Sequence, residues 1–334
     1  MYPRLIACLT AWVVLASCSP QAAATPIAPQ VQATRPHPTS TPAPTDTSGP
    51  LDASPTEPSP GGMAGLQQEI DAITSTKEAV FGIGIYDFED QATLFINRDK
   101  PFVMLSVVKF PQALAILDQV DQGILDYDTV VHFEKSDLQP NTYSPLRDET
   151  SADQVDISLT EALGYTISRS DNNVCDKLFK ILGGTQAAEA YIHGLGLESI
   201  TIATDYADMA ENTIYANQSS PQAMLELLRM FYDGELLSPS STELLWEKLV
   251  ETSTGPDRIK GLLPEGTVVG HKTGTSGTDE AGVTAAFNDM GIVNLPDGGS
   301  FAIVIFIADS QEDSATNAAT IAAIARAAYD YLNH

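Results

Sequence analysis

A proline-rich segment near the start of the chain confines any folded body to the residues that follow it. Eleven of the 44 residues from 19 to 62 are proline, and none is Phe, Trp or Tyr. A segment of this composition cannot bury enough apolar surface to offset the entropy that it would lose on ordering. We therefore expect residues 19–63 to form a disordered tether and residues 64–334 to form one folded domain.

Residues 1–18 precede this tether and have the composition of an export signal. Arg4 supplies a positive start, and the mostly apolar run after it is 12 residues long, which is too short for a membrane-spanning helix. The segment ends in Leu-Ala-Ser-Cys at Cys18, which resembles the lipidation site of bacterial lipoproteins; an ordinary signal peptide is the alternative. We expect an extracytoplasmic protein, anchored by a lipid on Cys18 to the bacterial cell membrane or at its periplasmic face.

Charge and residue counts exclude several classes of function. The chain has 44 acidic and 17 basic side chains, a formal charge of −27, so it lacks the excess of Lys and Arg that nucleic-acid binding needs. Its five histidines and three cysteines have no zinc-binding spacing, and no glycine-rich phosphate loop occurs. We expect no metal, no cofactor and no nucleic-acid partner. Cys175 is the one cysteine of the expected domain, and we interpret it as a buried apolar residue.

The order of the hydrophobic patterns predicts an α+β fold. Strand-like segments occur at both ends of the domain, at residues 80–87, 92–97, 267–271, 284–294 and 300–308. Helical patterns occur at residues 66–78, 107–121, 159–168, 173–182, 185–195, 221–233, 240–252 and 314–332. We therefore expect an antiparallel sheet built from both chain ends, flanked by helices, with a helical second lobe.

The sequence SVVK at residues 106–109 opens one of the predicted helices. Ser106 would lie at or beside the helix N-terminus, and Lys109, three residues later, would lie on the same helical face. The lysine could then reach the hydroxyl, while backbone N–H groups at the helix start would stabilise an anion that forms there. This arrangement is typical of an activated serine nucleophile. The alternative is a plain helix cap at Ser106 and a solvated lysine.

A second short motif, SDN at residues 170–172, lies between two predicted helices. In a functional interpretation Ser170 passes a proton to a leaving nitrogen, and Asn172 forms a hydrogen bond with a substrate amide. Ser, Asp and Asn are also preferred helix caps, so a purely structural link between the two helices is the alternative.

A third motif, KTGT at residues 272–275, lies on a predicted strand that includes residues 268–272. In a functional interpretation Lys272 and Thr273 bind a substrate carboxylate. Gly274 lets a substrate lie against the strand, and the N–H of Thr275 completes an oxyanion hole. A plain strand end is the alternative.

The three motifs in this order are typical of class A β-lactamases and penicillin-binding proteins. The body resembles a class A serine β-lactamase, most closely the branch that contains the PER, VEB and CfxA enzymes, over nearly all of residues 64–334. Besides the motifs, the stretches that carry the likeness are residues 106–111, 117–123, 141–146, 170–176 and 254–264. The resemblance implies the β-lactamase and transpeptidase-like fold, a β-lactam as the small-molecule partner, and a serine hydrolase that acts on cyclic amides.

The resemblance implies a proton pathway through the motifs. Ser106 would be acylated by the β-lactam carbonyl, with Lys109 as its proton partner. Burial and the nearby charge of Lys272 would lower the pKa of Lys109. Ser170 would relay the proton to the departing ring nitrogen.

The resemblance also implies how the substrate is held. Asn172 and Thr275 would bind the amide side chain of the substrate, and Tyr143 would line the mouth of the pocket. The backbone N–H groups of Ser106 and Thr275 would bind the oxyanion.

One residue of the family pattern is missing from the chain. Family enzymes carry a glutamate between the second and third motifs that activates the deacylating water, and here its position falls on Tyr206. Asp205 is the tentative base, provided that the loop shifts by one residue. Aspartate is also one methylene shorter, and a misplacement of about 1 Å can cost about a hundredfold in rate. Asp208, Glu211 and the absence of any carboxylate base are the alternatives.

Three functions remain open at this point. The first is a β-lactamase that hydrolyses its substrate through an acyl-enzyme on Ser106. The second is a penicillin-binding or D,D-peptidase-like enzyme whose acyl-enzyme is long-lived. The third is a non-catalytic surface module that binds peptidoglycan or another protein. In each case we expect a tethered monomer.

Overall fold

A five-stranded sheet organises the part of the chain that the computed structural model describes, residues 63–208 and 213–333. Strands β1 (Val80–Asp87) and β2 (Thr93–Ile96) come from the start of the body, and strands β7 (Val269–Thr275), β8 (Thr284–Asn294) and β9 (Ser300–Ser310) come from its end. The strand order is β2-β1-β9-β8-β7, and all neighbouring strands are antiparallel. The predicted sheet built from both chain ends is confirmed.

Helices and short strands occupy the rest of the described chain. The α-helices there are α1 (Ala64–Thr74), α2 (Lys109–Asp121), α3 (Pro145–Glu149), α4 (Leu159–Leu163), α5 (Asn172–Leu182), α6 (Thr185–Gly194), α7 (Pro221–Tyr232), α8 (Pro239–Val250) and α9 (Ser314–Leu332). The remaining strands pair as β3 (Phe102–Val103) with β6 (Gln218–Ser219), and β4 (Val130–Glu134) with β5 (Gln154–Ser158). Short 3-10 turns lie at Leu105–Val108, Lys135–Asp137 and Ile259–Leu262, and a π turn lies at Gly164–Ser168.

Strand β9 contributes to two hydrophobic clusters because successive side chains of a strand point to opposite faces of the sheet. Ile303 and Ile305 belong to the cluster that contains buried residues of α1 and α9. Val304 and Phe306 belong to the larger cluster, which contains buried residues of α2 and α5 to α8. Helices therefore cover both faces of the sheet, and the predicted α+β fold with flanking helices is confirmed.

A buried carboxylate joins the two segments that carry the predicted residues Tyr143 and Asn172. Asp171 is fully buried and caps α5 by accepting the backbone N–H of Val174 at 3.0 Å. The same side chain accepts the hydroxyl of Ser144 and the backbone N–H of Leu146, both within 3.0 Å. The central residue of the SDN motif therefore fixes the 143–146 segment against the start of α5.

Long elements were easier to predict than short ones. The bounds of β1, β8 and α9 are those predicted from the hydrophobic pattern. The predicted strand at residues 267–271 is displaced, because β7 spans Val269–Thr275 and so includes the whole KTGT motif. The β4–β5 hairpin has no counterpart among the predicted strands. Strand β4 fully buries only two residues and β5 buries none, so the hairpin has little hydrophobic signal.

The predicted signal peptide, the lipidation site at Cys18 and residues 19–62 of the predicted tether lie outside the described residues. Met63, the last residue of the predicted tether, is buried and directly precedes α1, so it belongs to the folded body. In the part that is described, no helix is both long and apolar enough to cross a membrane. Cys175 is fully buried and forms no disulfide, which confirms its interpretation as a buried apolar residue.

Candidate active site

Ser106 lies in the 3-10 turn that leads directly into α2, with Lys109 one turn later. Lys109 is fully buried, and its Nζ lies 2.9 Å from Ser106 Oγ. Leu105, directly before the serine, has a φ of +45°, a left-handed conformation that costs a non-glycine residue about 1–3 kcal/mol. The strained turn fixes Ser106 at the helix start, and the structure brings Lys109 to its hydroxyl as the spacing predicts.

The Lys109 side chain is surrounded by hydrogen-bond acceptors. Besides Ser106 Oγ, its Nζ donates to Asn172 Oδ1 at 2.6 Å and to the carbonyl oxygen of Ser170 at 3.1 Å. Burial lowers the pKa of Lys109 to about 8. A share of the amine is therefore neutral near pH 7, and the neutral amine can accept the proton of Ser106.

Ser170 connects two buried lysines. Its Oγ lies 2.9 Å from Lys272 Nζ and 3.4 Å from Lys109 Nζ. Burial first, and then the charge of Lys109, lowers the pKa of Lys272 well below its usual value. The resemblance implied that burial and the nearby charge of Lys272 lower the pKa of Lys109. Burial is the largest cause of the lowered pKa of each lysine, and the repulsion between the two ammonium groups also disfavours the charged form of Lys272.

Asn172 and Tyr143 lie on one side of this cluster. The amide nitrogen of Asn172 donates to Thr142 Oγ1 at 2.7 Å, while its oxygen accepts from Lys109. The backbone N–H of Asn172 donates to the carbonyl of Tyr143 at 3.0 Å, and the Tyr143 side chain is 55% exposed. The amide is thus held in one orientation, and Tyr143 lies at the exposed edge of the cluster, where a pocket mouth is expected.

Gly274 lets strand β7 lie directly against the turn that carries Ser106. A Cβ atom on this glycine would lie 2.3 Å from the carbonyl oxygen of Met104 and 3.3 Å from the backbone nitrogen of Ser106. The motif suggested that Gly274 makes room for substrate, but the structure gives a different reason. Without a side chain here, Thr275 and Ser106, whose N–H groups the resemblance assigns to the oxyanion hole, lie on adjoining backbone segments.

Arg258 is a buried cation that the sequence motifs do not identify. It donates to Thr275 Oγ1 at 2.6 Å and to the carbonyl of Asn288 at 2.7 Å, and its guanidinium carbon lies 3.7 Å from the centre of the Phe287 ring. Beside it, the hydroxyl of Thr273 lies 2.7 Å from that of Thr254. Arg258 lies in the 254–264 stretch that carries the family likeness, but no spacing within that stretch relates it to the strand.

Tyr206 is the residue of its loop that reaches the nucleophile. Its hydroxyl lies 2.9 Å from Ser106 Oγ, and Lys109 Nζ lies 4.3 Å from the centre of its ring. Burial raises the pKa of Tyr206 well above its ordinary value, so the phenol is neutral at physiological pH. The sequence identified Tyr206 only as the residue at the family's glutamate position, without a role.

The structure does not bring the tentative base Asp205 to Ser106. The Asp205 carboxylate accepts the backbone N–H of Asp208 at 3.0 Å, and Asp208 itself is exposed. The loop does not make the one-residue shift that Asp205 would require, since Tyr206 faces the nucleophile. The third candidate, Glu211, lies outside the described residues.

Asp176, in α5, forms a hydrogen bond with the backbone of Tyr206. Its buried carboxylate accepts the backbone N–H of Tyr206 at 2.7 Å. Burial, followed by the charge of Asp205, raises the pKa of Asp176 to about 7. Sequence patterns gave no signal for this contact, because a lone aspartate in a helix is ordinary.

The cluster is a cationic site in an acidic protein. Lys109, Lys272 and Arg258 are all buried around it, although the chain carries a formal charge of −27. Across residues 63–208 and 213–333, no group of three His, Cys, Asp or Glu side chains is placed to hold a metal ion. The arrangement therefore suits an anionic substrate and proton transfer between a serine hydroxyl and amines.

Comparison with known proteins places this site in a family. The Beta-lactamase enzyme family matches residues 65–332. The chain is 41% identical to the extended-spectrum β-lactamase PER-1 of Pseudomonas aeruginosa over 268 residues, 80% of this chain and 87% of that enzyme. It is 38% identical to β-lactamase VEB-1 of the same organism over 270 residues, 80% of this chain and 90% of that enzyme.

A solved structure agrees with these sequence relatives. The crystal structure of a β-lactamase from Chitinophaga pinensis matches this chain with a TM-score of 0.79 and 43% sequence identity. The match covers 80% of this chain and 100% of the Chitinophaga chain. The resemblance to the branch that contains the PER and VEB enzymes is therefore confirmed.

Replacing Asp176 by asparagine is expected to flatten the dependence of stability on pH. Because the folded-state pKa of about 7 lies above the ordinary value of 3.8, the protonated form stabilises the fold. That stabilisation is complete below about pH 4 and is lost as the pH rises through about 7. Asparagine keeps an acceptor for Tyr206 but carries no charge. Urea unfolding should show a smaller loss of stability from pH 5 to pH 8 in Asp176→Asn than in the parent.

The matched control is Asp208→Asn, which removes an exposed carboxylate from the same loop. It should keep the pH dependence of the parent. Equal slopes for Asp176→Asn and the parent would contradict the assignment of this titration to Asp176.

Proposed function

Because this chain belongs to the class A β-lactamase family and is a β-lactam hydrolase, we propose that it opens the β-lactam amide through an acyl-enzyme on Ser106. The observation that carries the proposal is the position of Lys109 Nζ, 2.9 Å from Ser106 Oγ, with Ser170 Oγ between this lysine and Lys272. A nucleophile, a base and a proton relay are thus in mutual hydrogen-bonding contact.

In acylation, the proposed proton transfers follow the hydrogen bonds between Ser106, Lys109 and Ser170. Neutral Lys109 accepts the proton of Ser106 as Oγ forms a bond to the β-lactam carbonyl carbon. The bond from that carbon to the ring nitrogen breaks, and the nitrogen takes a proton from Ser170. Ser170 regains a proton from Lys109, directly or by way of Lys272, to which it is also hydrogen-bonded. The products are a serine ester and a ring-opened amine.

The negative charge that develops on the carbonyl oxygen needs hydrogen-bond donors. The backbone N–H groups of Ser106 and Thr275 are proposed to supply them, supported by the close approach of Gly274 to the backbone of the serine turn. Losing one such donor typically costs about 3–4 kcal/mol in the barrier. The positive end of the α2 dipole adds to the stabilisation.

Substrate binding is proposed to use the cationic β7 side of the site. Lys272 and Thr273 would bind a carboxylate of the β-lactam, and Arg258 adds a second buried positive charge beside Thr275. Asn172 and Thr275 would bind the amide side chain of the substrate, and Tyr143 would line the pocket mouth. An excess of negative charge elsewhere on the chain leaves this site as the favourable place for an anion.

We further propose that the enzyme acts outside the cytoplasm, anchored through a lipid on Cys18. The support is the sequence of residues 1–18 and the proline-rich segment after it. As a flexible coil of 44 residues, residues 19–62 would have a root-mean-square reach of about 36 Å, enough to hold the catalytic domain away from a lipid surface.

The acyl-enzyme has a direct test in intact-protein mass spectrometry. After mixing with a penicillin, whose ring opening releases no fragment, the parent is expected to gain the full mass of the penicillin, and digestion should locate that mass on the peptide that contains Ser106. Ser106→Ala is expected to gain no mass and to lose β-lactam hydrolysis. Ser151→Ala, at an exposed serine, is the matched control and should behave like the parent. Hydrolysis by Ser106→Ala at the parental rate would disprove the proposed nucleophile.

The rate of acylation is expected to rise with pH. Lys109 acts as a base only when neutral, and its pKa is lowered by burial to about 8. The single-turnover acylation rate should therefore increase through pH 8 with the slope of one titrating group and level off above about pH 9. Circular dichroism at each pH checks that the fold is retained. A rate that stays constant from pH 6 to pH 9 would contradict Lys109 as the base.

The anchor has its own test in cells given an alkyne-labelled fatty acid. The full chain is expected to carry the label and to sediment with membranes. Cys18→Ser is expected to lose the label and to appear in the soluble fraction, whereas Cys175→Ser should keep the label. A labelled Cys18→Ser protein would rule out Cys18 as the lipidation site.

A further inference from the structure

We infer that Tyr206 sets the lifetime of the acyl-enzyme by occupying the space beside the Ser106 oxygen that a hydrolytic water needs. The inference rests on the proposed acyl-enzyme and concerns its second half, the hydrolysis of the ester. It makes deacylation the slow step of the reaction and Tyr206 the residue that keeps it slow.

Deacylation requires a water molecule close to the ester. The water oxygen forms a bond to the acyl carbon, and the bond from that carbon to Ser106 Oγ breaks. One proton of the water ends on Oγ and the other leaves with the product acid. For attack, the water oxygen must first lie about 3–3.5 Å from the acyl carbon. Since that carbon is bonded to Oγ, the water must also lie beside Oγ.

The phenol of Tyr206 already lies in this position. Its hydroxyl oxygen is 2.9 Å from Ser106 Oγ, the distance at which a hydrogen-bonded water would lie. The ring packs against the larger hydrophobic cluster, and Lys109 Nζ lies over its face at 4.3 Å. The backbone of Tyr206 is held by Asp176 at 2.7 Å. The hydroxyl is therefore fixed by contacts of both its ring and its backbone.

Tyr206 is suited neither to act as a base for water nor to act as an acid toward Ser106 Oγ. A neutral phenol with a raised pKa is not a base for water. As an acid toward Oγ it is weaker than the Lys109 ammonium, whose pKa burial lowers to about 8 and which is also 2.9 Å from Oγ. The effect that remains for Tyr206 is the exclusion of water.

No carboxylate of the described loop replaces the missing base. Within residues 63–208 and 213–333, the side chains recorded in hydrogen bonds with Ser106 Oγ are those of Lys109 and Tyr206. The carboxylates of Asp205 and Asp176 accept backbone N–H groups of the loop itself. Acylation therefore has its full set of groups, whereas deacylation has a blocked position and no carboxylate base in contact with the serine.

The test separates the two half-reactions by rapid mixing with a chromogenic cephalosporin. The parent should show a burst of about one equivalent of opened ring per enzyme, followed by a slow phase. Intact-protein mass spectrometry should show the adduct persisting through the slow phase. Tyr206→Ala opens the space, and Tyr206→Glu opens it and adds a carboxylate. Tyr215→Ala, at an exposed tyrosine, is the matched control and should keep the parental slow phase.

Tyr206→Ala is expected to raise the deacylation rate by about tenfold or more, and Tyr206→Glu by about 10²–10⁴-fold, the usual contribution of a general base. A slow phase that is unchanged in both folded variants would overturn the inference. If both fail to fold, Tyr206→Phe decides, because it removes only the hydroxyl. It should deacylate at least as fast as the parent, and a tenfold slower rate would show that the phenol is a catalyst instead.

These outcomes distinguish the inference from the proposed function. Steady turnover without a burst or a detectable adduct, together with loss of activity in Ser106→Ala, would overturn the role of Tyr206 and leave the nucleophile in place. Full activity in Ser106→Ala would instead remove the acyl-enzyme on which the inference rests.

Discussion

Two lysine side chains buried without a carboxylate partner are the constraint on which the rest of the site depends. Lys109 and Lys272 are both fully buried, and neither forms an ion pair within the described residues. Burying an unpaired charge is costly, so burial lowers the pKa values of both lysines and raises the share of neutral amine at a given pH. A neutral amine against a serine hydroxyl is a base and nucleophile pair. Burial of the two unpaired lysines therefore lowers the stability of the folded protein and at the same time provides the base for the reaction.

The fold adds to this pair two side chains from elements that are far away in the chain, Ser170 and Lys272. The 3-10 turn before α2 supplies Ser106, and the first residue of α2 is Lys109. The turn before α5 supplies Ser170, and strand β7 supplies Lys272. Two features fix their approach. Gly274 allows β7 to lie against the backbone of the serine turn, and buried Asp171 fixes the 143–146 segment against the start of α5. The sheet, whose two sets of strands come from opposite chain ends, is therefore a scaffold for the site as well as a core.

The predictable parts of the site were those whose partners are close in sequence or share a motif. The contact between Ser106 and Lys109 follows from helical spacing, and the meeting of Ser170, Asn172 and Lys272 beside Lys109 is the arrangement that the family resemblance implies. Sequence patterns do not identify Arg258 and Asp176, because their contacts are with residues far away in the chain and leave no spacing in the sequence. Tyr206 was placed by counting, but only the structure shows that its hydroxyl, and not the carboxylate of Asp205, faces the nucleophile. Weakly buried elements such as the β4–β5 hairpin were missed for a related reason, since they lack a hydrophobic pattern.

The acyl-enzyme on Ser106 and the position of Tyr206 beside it are tested most directly by a crystal structure of the protein after treatment with a β-lactam. We expect electron density that continues from Ser106 Oγ into the carbonyl of the opened β-lactam. The carbonyl oxygen should lie between the backbone nitrogens of Ser106 and Thr275. The Tyr206 hydroxyl should still lie beside Oγ, with no water within about 3.5 Å of the acyl carbon. An unmodified serine, or an acylated serine with Tyr206 turned away and a carboxylate-bound water in its place, would contradict this expectation.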